Sequence, residues 1–254
     1  MQLHTRTAGQ GAPVVLLHGL FGSHENLGVL ARDLATDHSV YGMDLRNHGR
    51  SPHADAMTLA AMAADVIKTM DAHELGSATL LGHSLGGKVA MEIALTMPER
   101  VDGLIVLDIA PVAYTRGHDT ELDAMLGLDL EGLASRADAD RTLAAEVPNP
   151  AVRQFLLKNL VRAGDGFAWR IPLQTIADEY ASIATAPSGG RFDGPALFIR
   201  GGASNYVTTD HETAIHKHFP QARIETIEGA AHWLHVEQPE KVVALARALI
   251  AEGK

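Results

Sequence analysis

The sequence predicts an α/β fold, a mostly parallel sheet with helices on both faces, interrupted by one helical insertion. Three observations carry this reading. Short apolar runs recur, each closing on Gly, Asp or a Gly-containing pair; stretches with apolar residues at helical spacing alternate with the first four runs; and the rhythm breaks between Pro111 and Pro195. Short continuous apolar runs bounded by turn residues suit strands buried on both faces, the situation of a parallel sheet covered by helices.

In order, the runs are residues 14–17 before His18-Gly19, 40–43 before Asp44, 78–81 before Gly82 and 104–107 before Asp108. Two more follow at 196–199, before Arg200-Gly201, and 222–227, before Glu228-Gly229. Residues 26–34, 59–70 and 88–97 carry the helical spacing between the first four. In the interrupted segment Leu122, Met125, Leu126, Leu130 and Leu133 are spaced for one helix, and Val152, Phe155, Leu156 and Leu160 for another. Pro148 and Pro150 punctuate the space between, Asp165-Gly166 marks a turn, and Pro172 suits the first position of a helix through Tyr180. No comparable strand is expected here. The predicted organisation is a core of residues 1–111 and 191–254 with a helical cap over 112–190.

The 254 residues are 46% hydrophobic and 20% charged, ordinary globular usage and enough to bury a large core. A net charge of −10 leaves no basic excess for a phosphate backbone, so nucleic acid is not expected as a partner. The absence of Cys excludes disulfides, thiolate metal sites and a cysteine nucleophile. No apolar run reaches membrane-spanning length and residues 1–12 lack the pattern of a signal peptide, so a cytoplasmic protein without membrane insertion is expected. Oligomeric state leaves no mark on the sequence.

Gly82-His83-Ser84-Leu85-Gly86 fits G-x-S-x-G between a predicted strand and a predicted helix. A serine on such a sharp turn needs small residues two before and two after it, and Gly82 and Gly86 supply them. Its hydroxyl then projects from the carboxyl end of the sheet, and the Leu85 N–H faces a developing oxyanion. The same stretch approaches a phosphate-binding loop, Gly82 to Lys88, but Val89 stands where that loop requires Ser or Thr.

With these residues in hand the chain resembles the α/β-hydrolase superfamily, and within it the YbfF-type bacterial esterases and the abhydrolase domain-containing protein eleven group. The resemblance rests on His18-Gly19-Leu20-Phe21-Gly22 with Asn26-Leu27-Gly28, Asp44-Leu45-Arg46-Asn47-His48-Gly49, residues 82–87, Asp108-Ile109-Ala110-Pro111 and residues 229–233. It runs over nearly the whole chain, less clearly in the insertion.

The resemblance implies a nucleophile, acid, histidine order, with the histidine after the last strand. His232 holds that position, with His235 as the near competitor. The acid often follows the run matched here by 196–199, but residues 200–206 contain no carboxylate. Asp108 ends the preceding run, where the resemblance implies an aspartate; Asp193 and Asp210 are the alternatives. The loop after 14–17 is where the superfamily places the other half of its oxyanion hole, assigned to the Leu20 N–H with Phe21 as the alternative. His18 is expected to brace that loop, and Asp44, Arg46, His48 and Ser51 to form a structural turn.

His211-Glu212 begins like H-E-x-x-H, but His216 comes five residues on, about 140° around a helix rather than about 40°. No metal site and no cofactor are expected, and His4, His24, His38, His53, His73 and His118 are expected to face solvent. The predicted function is hydrolysis of carboxylic esters or acyl thioesters with short-to-medium apolar acyl groups by Ser84, Asp108 and His232 through an acyl-enzyme. A cofactor-free perhydrolase or haloperoxidase would use the same triad, and a non-catalytic binding protein would retain the fold alone.

Overall fold

A computed structural model describes residues 1–115 and 119–252; His118 lies outside them. Strands β1 (Thr5–Ala8), β2 (Pro13–Leu17), β3 (Ser39–Met43), β4 (Ala78–His83), β5 (Val101–Leu107), β8 (Ala196–Gly201) and β9 (Ala222–Ile227) form one sheet in the order β1-β3-β2-β4-β5-β8-β9. Only β1 runs antiparallel, against β3. The register aligns Val15 with Tyr41 and Leu80, Leu81 with Ile105, and Val106 with Phe198. The parallel strands therefore end at one edge, and the residues following β2, β4, β5, β8 and β9 meet there, where open α/β sheets bind ligands.

Alternation along the strands sends side chains to two opposite faces. Leu16, Leu81, Ile105 and Leu197 pack with Leu30 and Leu34 of α1 (Gly28–Leu34) and Val242 and Ala246 of α11 (Pro239–Glu252). Val15, Leu80, Leu104 and Phe198 pack with Met62 and Val66 of α2 (Leu59–Ala72) and Val89 and Ile93 of α3 (Leu85–Thr96). The second cluster continues into the insertion through Leu122, Met125, Leu156 and Leu160.

The insertion between β5 and β8 holds α4 (Asp119–Leu126), α5 (Arg136–Leu143), α6 (Pro150–Leu157), α7 (Leu173–Asp178) and α8 (Tyr180–Ala184). It also holds a hairpin of β6 (Leu160–Ala163) and β7 (Gly166–Trp169), a correction to the expectation of no strand. Ala163 pairs with Gly166, so Gly164 and Asp165 are its two-residue turn, and Gly164 takes the positive φ of +58° that a tight hairpin demands. Leu160 thus belongs to β6 rather than to the preceding helix. Leu130 and Leu133 fall beyond α4, which stops before Gly127. Pro172 caps α7 instead of opening it, and the predicted helix through Tyr180 divides at Glu179. α5 escapes the periodicity because only Ala139 and Leu143 are buried; its start is fixed by the Ser135 hydroxyl accepting from the Asp138 N–H at 3.2 Å. α9 (Glu212–His218) and α10 (Leu234–Glu237) flank β9. No helix among the described residues is long and apolar enough to cross a membrane.

Candidate active site

Ser84 joins β4 to α3 with φ +50° and ψ −115°, a conformation that L residues avoid. Its N–H donates to the Leu107 carbonyl and its carbonyl accepts from the Lys88 N–H, both at 3.0 Å. The flanking glycines are obligatory: a Cβ on Gly82 would sit 2.3 Å from the Gly86 carbonyl oxygen, and one on Gly86 2.2 Å from that of Leu17. Across the turn, a Cβ on Gly19 would lie 3.4 Å from the Ser84 Cβ, which places the loop after β2 directly beside the serine.

Asp108 follows β5, fully buried and at φ +52°. Its Oδ1 accepts from the Gly201 N–H at 3.0 Å; its Oδ2 accepts from the Ser204 hydroxyl and lies 2.8 Å from His232 Nδ1. His232 follows β9, and Tyr206 stacks on its ring at 3.9 Å and 19°. The structure therefore brings Asp108 and His232 together. Asp193 instead pairs at the surface with Arg191, and Asp210 stands exposed in the turn Thr209–His211. His235 lies 4.3 Å from the His83 ring, which in turn is 4.7 Å from His232, whose carbonyl is 2.9 Å from His83 Nε2. Burial pushes the His235 imidazole down to about 3, and its Nδ1 has no hydrogen-bond partner among the described residues.

The loop Gly19-Leu20-Phe21-Gly22 is fixed by two buried histidines. His18 Nδ1 donates to the Gly19 carbonyl at 2.8 Å while its Nε2 accepts from the Leu45 N–H at 3.0 Å. His48 Nδ1 donates to the Arg46 carbonyl at 2.8 Å while its Nε2 accepts from the Phe21 N–H at 3.1 Å. These partners assign both rings as neutral Nδ1–H tautomers. Burial lowers the pKa of His18, and burial with repulsion from His18 takes His48 down to about 3. The Phe21 amide is thus engaged, whereas the Leu20 and Leu85 amides donate to no other group among the described residues. Phe21 itself holds φ +61°, and its carbonyl accepts from Asn159 Nδ2 of the insertion at 2.8 Å.

The turn after β3 is structural, as expected. The Asp44 Oδ1 accepts from the His24 N–H at 2.7 Å and lies 2.8 Å from His24 Nδ1, and Oδ2 accepts from the Arg50 N–H at 2.9 Å. Burial pushes this carboxyl up, but those hydrogen bonds outweigh it and hold it well below the usual carboxylate range. The Ser51 hydroxyl donates to the Asp44 carbonyl at 2.6 Å, and Arg46 Nε pairs with Asp65 Oδ2 at 2.7 Å. Two histidines read as solvent-facing are not: His24 joins this turn and His38 is buried.

Two hollows share Leu20 and Tyr206. One, about 280 Å³, is lined by Leu85, Lys88, Ile109, Tyr180 and Ile183; the other, about 640 Å³, by His83, His232, Trp233, His235 and Phe155. Ser204, Tyr206, His83 and Lys88 escape sequence reasoning. Ser204 and Tyr206 lie in the loop noted for its missing carboxylate, and that departure is the one available signal.

The chain belongs to the α/β-hydrolase fold family, whose sequence profile matches residues 12–160. It is 42% identical to the esterase YbfF of Escherichia coli over 93% of this chain and 92% of that one. It is 38% identical to the sn-1-specific diacylglycerol lipase ABHD11 of Mus musculus over 94% of this chain and 80% of that one. A solved marine microorganism esterase superposes with a TM-score of 0.95 at 35% identity, covering 98% of this chain and 99% of its own.

Proposed function

We propose that this protein is a serine hydrolase that cleaves carboxylic esters, or acyl thioesters, through an acyl-enzyme. The observation that carries the reading is the hydrogen-bonded Asp108–His232 pair at the sheet edge from which the strained Ser84 turn projects. The names of its relatives, esterase and diacylglycerol lipase, support the same class.

In this mechanism His232 takes the Ser84 proton as the hydroxyl attacks the acyl carbonyl. Asp108 holds the Nδ1–H tautomer and stabilises the imidazolium. The Leu20 and Leu85 amides receive the oxyanion, Leu85 from the first position of α3. His232 then gives its proton to the leaving group, which must occupy the hollow that His232 lines. The acyl group is left to the smaller, more apolar hollow against Leu85 and Ile183, which suits short-to-medium chains. Residues 112–190 act as a cap, contributing Tyr180 and Ile183 to the acyl side and Phe155 to the leaving-group side.

A fluorophosphonate probe should label Ser84 in the wild-type protein, and Ser84→Ala should lose both labelling and p-nitrophenyl ester hydrolysis while keeping its circular dichroism spectrum. Turnover at the wild-type rate in Ser84→Ala would end this mechanism.

A further inference from the structure

The acyl hollow contains one buried cation that the mechanism does not use. Lys88 lies one helical turn beyond Ser84 on α3 and is 3% exposed. Its Nζ donates to the carbonyls of Ala184 at 2.7 Å and Thr185 at 2.5 Å, at the end of α8, and stands 4.9 Å from the centre of the Tyr114 ring. An ammonium carries three protons, so these two bonds leave one. No carboxylate pairs with Lys88 among the described residues.

Buried charges are normally paired, because removal from water is costly without a counter-ion. Two carbonyls and a ring face supply only partial negative charge. If the role were solely to tie α3 to α8, a glutamine amide could make two such bonds without burying a charge. Burial pushes the Lys88 ammonium down to about 8, which still leaves it mostly protonated at neutral pH. An unpaired cation in the wall of a small acyl hollow is complementary to an anion on the acyl group.

We propose that Lys88 is a specificity residue that receives a carboxylate at the far end of the acyl chain, so that the enzyme hydrolyses half-esters of short dicarboxylic acids. The inference rests on the esterase reading above. Chemistry at Ser84 is unchanged: the ester C–O bond breaks, and water supplies hydroxyl to the acyl carbon and a proton to the alcohol.

The test compares the monoethyl esters of succinic, glutaric and adipic acid with neutral isosteres in which an isopropyl group replaces the carboxylate: ethyl 4-methylpentanoate, 5-methylhexanoate and 6-methylheptanoate. At the length that fits, wild-type kcat/KM for the half-ester should equal or exceed that for its isostere. Lys88→Met should lower this ratio at least tenfold, as expected for loss of a charge-assisted hydrogen bond, and Lys88→Arg should keep it above the Lys88→Met value. A ratio unchanged in Lys88→Met overturns the proposal. So does a wild-type enzyme that cleaves the neutral esters but disfavours all three half-esters a hundredfold, and that arm decides alone if Lys88→Met does not fold. Loss of both series together with failure of Ser84 labelling would instead remove the esterase reading on which the proposal stands.

Discussion

Asp108 spends its carboxylate on three donors, the Gly201 N–H, the Ser204 hydroxyl and His232 Nδ1. A carboxylate so held is fixed in place, as a group that orients an imidazole must be. Three of the five non-glycine residues with positive φ among those described, Phe21, Ser84 and Asp108, fall at this site, so backbone strain concentrates where the proposed reacting groups project. Asp108→Asn should lower kcat by about three to four orders of magnitude with little change in KM, because the amide favours the wrong tautomer. Asp193→Asn and Asp210→Asn should be mild, since one side chain meets Arg191 at the surface and the other stands exposed. Steady-state kinetics on one p-nitrophenyl ester distinguishes the three, and a crippled Asp193 or Asp210 variant would move the acid elsewhere. Ser84 was legible because its motif constrains neighbours in sequence. Ser204 was not, because a serine that bonds an aspartate 96 positions away leaves no local pattern.

Among the elements, the proposed cap is tied to the core by polar contacts as well as apolar packing: Asn159 bonds the Phe21 carbonyl, and Lys88 bonds the end of α8. Its aromatic residues divide by role. Phe155 meets Trp233 edge-on at 5.1 Å in the wall of the larger hollow, whereas Trp169 Nε1 donates to the Met125 carbonyl at 3.1 Å and pins β7 to α4. Ile183→Ala should therefore shift kcat/KM toward longer acyl chains in a p-nitrophenyl ester series. Trp169→Ala should keep the profile and lose roughly 2 kcal/mol of stability, less than the 3–5 of a fully buried ring. A profile that keeps its shape in Ile183→Ala would remove the acyl assignment of the smaller hollow. The strands β2, β4, β5 and β8 were legible as continuous apolar runs because both their faces are buried, whereas β9 at the sheet edge leaves Arg223, Glu225 and Thr226 exposed. β1 was not, since Thr5-Arg6-Thr7-Ala8 has little apolar character and is held at the sheet edge by backbone pairing with β3. The β6–β7 hairpin was missed because four-residue strands are too short to establish a period.

At the scale of the whole molecule, three buried imidazoles, His18, His48 and His235, are kept neutral and should set the acid limit of stability. Each pKa lies below its ordinary 6.5, so as pH falls below that value the unfolded chain binds protons that the folded chain refuses. Stability should be fully present above about pH 7 and fall by about 1.4 kcal/mol per pH unit per histidine below about pH 6. The loss continues until the folded-state rings titrate, near 3 for His48 and His235. Urea unfolding at pH 7, 6 and 5 measures this slope, and His235→Leu should reduce it by one histidine's share; stability unchanged from pH 7 to 5 would show that these rings are not buried neutral. The sequence by itself determined the α/β class, the parallel strands and the serine turn, because each rests on local periodicity or on the steric demands of adjacent residues; the expected order of the site residues came from the resemblance to the α/β-hydrolase superfamily. Tertiary structure alone decided which aspartate meets His232, which loop amide is left without an acceptor among the described residues, and that Lys88 is buried with no carboxylate against it among those residues. Those depend on distances between residues far apart in the chain, fixed only when the sheet brings its strand ends to one edge.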